Sequence, residues 1–140
     1  MTGQADDHED IRQLGARYNW AIDFGDIDAW VDCFTEDGVF TCVGLPDGDP
    51  RGGSHQGREA LQAYGTAHYA HNKGRARHWN WNLLIEVDGD AATQRCYLNA
   101  YGAGQGETAI LRVTGTYRDE LWRTADGWRF ASREVTVDPA

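Results

Sequence analysis

Cysteine, proline and methionine are all scarce in this 140-residue chain, which has three, three and one of them. The cysteines, Cys33, Cys42 and Cys96, are odd in number and form no Cys-x-x-Cys pair. This pattern excludes a disulfide framework and the usual zinc ligand sets. His68 and His71 lie three residues apart, but no carboxylate partner is evident, so we interpret them as solvent-facing and predict no metal site. Free thiols favour a reducing compartment, and we expect a cytoplasmic protein.

Positive charge is also in short supply. The chain has 13 Lys and Arg against 22 Asp and Glu, a net charge of −9. Nucleic-acid binding through phosphates needs clustered basic residues, so this class is excluded. No apolar run approaches the roughly 20 residues of a membrane span, and the acidic segment 1–10 does not resemble a signal or transit peptide. No glycine-rich phosphate-binding motif is present, so we predict no cofactor.

Hydrophobic residues make up 41% of the chain, and sixteen residues are aromatic. This content is enough for the core of a single domain over 1–140. Apolar residues at three- and four-residue steps predict a helix over 7–24, capped by Asp6 or Asp7 and ended by Gly25. The same spacing predicts a short helix after Asp26 and a third helix over 58–72.

The remaining segments predict strands at 39–43, 77–87, 91–101, 110–122 and 128–137. A turn at 36–38 and glycine-rich loops at 44–53 and 102–107 separate them. Helices followed by an antiparallel meander define the α+β class. We predict a cone-shaped α+β barrel, in which three N-terminal helices pack on a strongly curved antiparallel or mixed sheet around a central pocket.

The segment 77–82 contains the residues that best fit a functional site. Period-two alternation places His78, Asn80 and Asn82 on one face and Trp79 and Trp81 on the other. A face with one His and two Asn does not suit a dry core, but it suits a polar pocket. The run 83–85 breaks the alternation, so a bulge is predicted there.

Asp23 is a carboxylate near the C-terminal end of the first helix, where the helix dipole disfavours it. A residue placed against local preference often has a tertiary partner, and His78 is the candidate. Such a pair could act as a general base, since the carboxylate orients the imidazole and stabilises its protonated form. The alternative is a structural histidine and a solvent-exposed aspartate.

Together these segments resemble the SnoaL-like family of the nuclear transport factor 2-like (NTF2-like) superfamily over residues 8–135. The residues that carry the resemblance are the segments 18–28, 33–38, 78–92, 115–117 and 126–133. The superfamily includes scytalone dehydratase, hexachlorocyclohexane dehydrochlorinase, ketosteroid isomerase and polyketide cyclases. The resemblance implies the cone-shaped fold and a His–Asp pair formed by His78 and Asp23.

The resemblance also implies that Tyr18, Asn82 and Arg133 donate hydrogen bonds to the substrate. Two positions depart from these relatives. Cys42 stands where the isomerase has its general-base aspartate, which argues against that mechanism. Cys96 stands near the second pocket histidine of the dehydratase, which argues against a direct copy of its chemistry.

We therefore predict a cofactor-independent lyase or isomerase that acts on a small molecule, most simply a dehydratase of a hydrophobic or cyclic hydroxy-carbonyl compound. His78 and Asp23 are the predicted catalytic residues. The predicted substrate-binding residues are Tyr18, Trp20, Tyr64, Asn80, Asn82, Tyr97, Tyr101, Arg118 and Arg133. The alternatives are a polyketide cyclase or ketosteroid-type isomerase, and a non-catalytic binding module. Trp79, Trp81 and Trp122 can form an exposed aromatic face, which predicts a homodimer or homotrimer.

Overall fold

The computed structural model describes residues 3–139, which form three helices and six strands. The helices are α1 (Gln4–Phe24), α2 (Ile27–Val31) and α3 (Arg58–Asn72). The strands are β1 (Phe34–Val43), β2 (Gly53–Gln56), β3 (Ala76–Asp88), β4 (Ala91–Gly104), β5 (Glu107–Thr124) and β6 (Gly127–Val137). This confirms the predicted α+β class, with the helices in the first half and most of the sheet in the second.

The six strands form one curved, mixed sheet with the order β2-β1-β6-β5-β4-β3. Strands β3 to β6 form the predicted antiparallel meander. Strand β1 pairs with β6 in parallel, and β2 pairs with β1 in antiparallel orientation. Strands β2 and β3 are the edges of the sheet, which is curved but not closed, and this confirms the predicted cone-shaped fold.

Three local predictions differ from the structure. The turn predicted at 36–38 lies inside β1, where the register with β6 shifts between Phe34 and Val39. Strand β2 comes from the segment predicted as a loop at 44–53 and the residues after it. In the loop predicted at 102–107 only Gln105 and Gly106 turn, both with positive φ, while β4 and β5 continue on either side.

Helix α1 buries the predicted apolar stripe, with Ile11, Leu14 and Tyr18 at most 3% exposed. Its N-cap is Gly3 and not Asp6 or Asp7, although the Asp6 carboxylate accepts a hydrogen bond from the Gly3 N–H. None of the helices is both long and apolar enough to cross a membrane within residues 3–139.

Gly25 ends α1 as predicted, in the left-handed region with φ 81°. A Cβ at this position would lie 2.9 Å from the ring of Tyr69 on α3. Glycine is therefore required both by the backbone conformation and by the close approach of α3. The turn fixes the last residues of α1, including Asp23, beside the start of β3.

Candidate active site

Asp23 and His78 are in direct contact across 55 residues of sequence. The Asp23 Oδ1 lies 2.5 Å from the His78 Nδ1, and the His78 backbone N–H donates to Asp23 Oδ2 at 3.0 Å. Asp23 is 6% exposed. Because both carboxylate oxygens bind the same residue, the imidazole ring is fixed in one orientation. The Nδ1 nitrogen is occupied, so Nε2 is the ring nitrogen that a ligand could reach.

His78 lines a cavity of about 330 Å³ inside the cone. Much of the wall is apolar and includes Ile22, Phe40, Leu98, Val113 and Val135. Polar side chains share the wall with His78, and they include Tyr18, Tyr64, His68 and Tyr117 as well as basic residues. An apolar cavity with a few convergent polar groups is the usual form of a small-molecule site.

The buried tyrosines of this wall stay protonated at neutral pH. Burial raises the pKa of Tyr18 to about 12, while the charge of Arg133 lowers it in part. Burial also raises the pKa values of Tyr64 and Tyr117 well above the usual range. A protonated phenol can donate a hydrogen bond to a substrate oxygen, which is the role that an oxyanion site needs.

His68 is a cavity residue that the sequence reasoning missed. It is 9% exposed, and its ring centroid lies 5.3 Å from that of His78. Burial, followed by the neighbouring charge of His78, lowers its pKa to about 3, so the ring is neutral at pH 7. Its Nδ1 atom is buried and has no hydrogen-bond partner among residues 3–139. The prediction that His68 faces solvent is wrong, although His71 is exposed.

A signal for His68 was present in the sequence. Leu61, Tyr64 and His68 follow the three- and four-residue spacing of the inward face of α3. Leu61 is 1% exposed, so the face at this spacing is buried.

Several predicted binding residues lie outside the cavity wall. Trp20 is 70% exposed and stacks on Phe24 at 5.3 Å. It follows the buried Tyr18 by two residues, about 200° around the helix, so it must face away from the core. Tyr97 and Arg118 are exposed because their strand neighbours Cys96 and Tyr117 point inward. Their predicted placement in the pocket is therefore wrong.

The polar residues of β3 separate at a bulge. Asn82 is exposed, has φ 56°, and lies where the register with β4 shifts between Trp81 and Leu84. Asn80 is half-buried and accepts a hydrogen bond from Asn19 at 3.0 Å, but it does not line the cavity. The prediction that Asn82 shares the cavity with His78 is therefore wrong. Tyr18, Tyr64 and Tyr101 do line the cavity, as predicted.

Arg133 is buried under the cavity and does not line it. Its Nε lies 3.1 Å from Asp119 Oδ1, and both side chains are 0% exposed. The guanidinium lies over the ring of Tyr117 at 3.7 Å and that of Tyr18 at 4.4 Å. Because Asp119 balances its charge, Arg133 is placed to support the tyrosines of the wall. The predicted direct contact with substrate oxygen is not possible from this position.

Helices packed on an open, curved sheet around a cavity define the NTF2-like class of folds. Residues 3–134 match the model of the SnoaL-like domain, and the chain belongs to the SnoaL-like family. The fold and the matched range agree with the resemblance inferred from the sequence.

Three similar proteins are informative. A structure of Rv3472(D26N) from Mycobacterium tuberculosis is 34% identical, with a TM-score of 0.78 over 96% of this chain and 78% of that chain. An NTF2-like protein from Novosphingobium aromaticivorans is 30% identical, with a TM-score of 0.81 over 95% and 82%. The anthranilate 1,2-dioxygenase small subunit of Burkholderia cepacia is 26% identical over 92% of this chain and 85% of its own length. The family therefore includes a subunit of a larger enzyme.

Proposed function

We propose that this protein is a cofactor-independent lyase or isomerase that uses His78 as its general base. The observation that carries the proposal is that His78, held by Asp23, lines a cavity with many apolar side chains in its wall. The apolar wall suits a hydrophobic or cyclic substrate, and the buried phenols suit a carbonyl oxygen. The leading reaction is dehydration of a hydroxy-carbonyl compound, and isomerisation or cyclisation are the alternatives.

The dehydration needs one proton transfer from the substrate to His78 and one from His78 back to the substrate. His78 Nε2 takes a proton from the carbon next to the carbonyl, and the electron pair of the C–H bond forms an enolate. Asp23 holds the ring through Nδ1 and stabilises its protonated form. A phenol of Tyr18 or Tyr64, or the neutral ring of His68, donates to the enolate oxygen.

The enolate then expels the hydroxyl group on the β carbon. His78 returns its proton to this hydroxyl, so water leaves, a carbon–carbon double bond forms and the neutral histidine is restored. Isomerisation would use the same base, but the proton would return to a different carbon.

A panel of hydroxyketones and polycyclic ketones, followed by ultraviolet absorbance and by NMR loss of the α-proton, tests this proposal. We expect His78→Ala to abolish turnover with nearly unchanged thermal unfolding. Asp23→Asn should lower the rate by up to about 10⁴, the loss seen when the aspartate of a Ser-His-Asp triad is replaced by asparagine. His8→Ala, on α1 and away from the cavity, is the matched control. Full activity in His78→Ala would refute the proposal that the His78–Asp23 pair acts as the general base.

A second candidate function is supported by the dioxygenase small subunit. In that case the protein is a non-catalytic subunit of a larger enzyme, and Asp23 and His78 are structural. Turnover by the isolated protein favours the lyase or isomerase. Activity that needs a second protein, and survives His78→Ala, favours the subunit.

We also propose a homodimer or homotrimer in the cytoplasm. Trp79, Trp81 and Trp122 are 51%, 48% and 57% exposed on the outer face of the sheet. The rings of Trp79 and Trp81 adjoin, with centroids 5.8 Å apart, and adjoining exposed aromatic side chains are typical of an interface. The three cysteines are buried and unpaired, which suits a reducing compartment.

A further inference from the structure

The charged residues that line the cavity are all basic. Arg51, Lys73, Arg75 and Arg112 belong to the wall, and no Asp or Glu among residues 3–139 lines it. The whole chain has 22 acidic and 13 basic residues. The cavity therefore has the opposite charge balance to the rest of the protein.

Two of these four basic residues are already neutralised. Arg51 binds Asp49 through two hydrogen bonds of 2.8 and 3.1 Å. Arg75 Nη2 lies 2.7 Å from Glu107 Oε2. The first pair lies within the loop 44–53, the second joins the segment before β3 to the start of β5, and both leave little net charge.

Lys73 and Arg112 are exposed and have no ion pair within residues 3–139, so no acidic side chain there balances their charge. Lys73 is the C-cap of α3, where the helix dipole favours a cation, and this explains part of its placement. Arg112 is on β5 and has no such local reason. It lies across Gly102 of β4, where an added Cβ would be 2.7 Å from its Nε. The missing side chain of Gly102 leaves the space that the guanidinium uses.

The sheet register places Arg112 and the proposed base at different depths of one cavity. His78 pairs with Ala100 on β4, and Gly102 is two residues further along the same strand. Two strand residues span about 7 Å. An anionic group beside Arg112 would therefore be separated from the reacting carbon by about 7 Å, which is closer to the length of two fused rings than to that of one.

We propose that the substrate is a carboxylic acid, whose carboxylate binds Arg112 with help from Lys73 while its hydroxy-carbonyl part reaches His78. Arginine is suited to this role because its planar donors match a carboxylate in a two-bond contact. The inference names the substrate class of the proposed enzyme and so depends on that function. The preference of the cavity for an anionic ligand over a neutral one can be measured by binding, without turnover.

The test compares 2-naphthoate with 2-naphthamide, which have the same ring system and nearly the same shape but differ in charge. Isothermal titration calorimetry should give about fivefold to tenfold tighter binding of the naphthoate at low salt, with a smaller ratio at high salt. Arg112→Gln should abolish this preference, and Arg112→Lys should keep part of it. Arg118→Gln, on the outer face of the same strand, is the matched control and should behave as the wild type.

The outcomes distinguish this inference from the proposed reaction. Equal binding of the two compounds, binding of neither, or an unchanged preference in Arg112→Gln would overturn the carboxylate assignment. His78→Ala should keep the preference. If His78→Ala keeps full turnover but the naphthoate preference is present, only the proposed base is wrong.

Discussion

Replacing His68 with glutamine should remove a defined part of the acid sensitivity of this fold. The ordinary pKa of the imidazole is 6.5, and burial lowers it to about 3 in the folded protein. Between these values the unfolded state binds a proton that the folded state does not bind. The contribution of the neutral ring to stability is therefore complete above pH 6.5 and is lost as the pH falls toward 3.

The size of the loss in stability depends on how far the pH lies below 6.5, the pKa of the imidazole in the unfolded state. At pH 5 this distance is 1.5 units, and each unit is worth 1.36 kcal/mol, so the loss from His68 is about 2 kcal/mol. Because pH 5 lies above the folded pKa of about 3, the folded ring stays neutral and recovers almost none of this loss.

Guanidinium unfolding at pH 7.5, 6 and 5, followed by tryptophan fluorescence, measures the difference. The wild type should lose about 2 kcal/mol more than His68→Gln between pH 7.5 and 5, whatever the stability of the variant at pH 7.5. His71→Gln changes the exposed histidine of the same helix and should behave as the wild type. Parallel losses in wild type and His68→Gln would refute the reasoning, as would an NMR titration of His68 with a pKa near 6.5.

Two further predictions concern stability and assembly. Arg133→Met leaves the buried Asp119 carboxylate without its cation, and we expect a loss of about 3 to 5 kcal/mol in the free energy of unfolding. Arg118→Met, at an exposed position, should change the free energy of unfolding by less than about 0.5 kcal/mol. Guanidinium titration of both variants measures the difference. The exposed tryptophans predict a dimer or trimer by light scattering, and a mass of 15.6 kDa would contradict this.

The parts of the fold that were predicted correctly depend on local signals. The buried stripe of α1 follows helical spacing, and Gly25 ends the helix because it has φ 81°. Trp79 and Trp81 lie on the outer face because alternation along a strand is a local property. The contact between Asp23 and His78 was also proposed from local signals, a carboxylate at the wrong helix end and a polar strand face.

Several errors came from features that depend on strand pairing, whereas those at Trp20 and His68 came from helical spacing that was not followed. The pairing of β1 with β6 joins segments about 90 residues apart and leaves no local pattern. The burial of Arg133 depends on the register that places it opposite Asp119 on β5. Charged side chains are rarely buried unless they are paired, so the partner has to be known before the burial can be inferred. Asn82 was misplaced for a related reason, because the bulge begins one residue earlier than the broken alternation indicated.

The position of β6 in the middle of the sheet determines the order in which the protein can assemble. During synthesis β1 emerges early, but its long partner β6 is the last strand to appear. Until then β1 can pair only with the four residues of β2, and Tyr18 and Phe34 lack Phe130, which lies 5.6 and 5.9 Å from their rings in the finished fold. Strands β3, β4 and β5 can pair with each other as they emerge. The two halves of the chain therefore become one sheet only when the final strand fits between them.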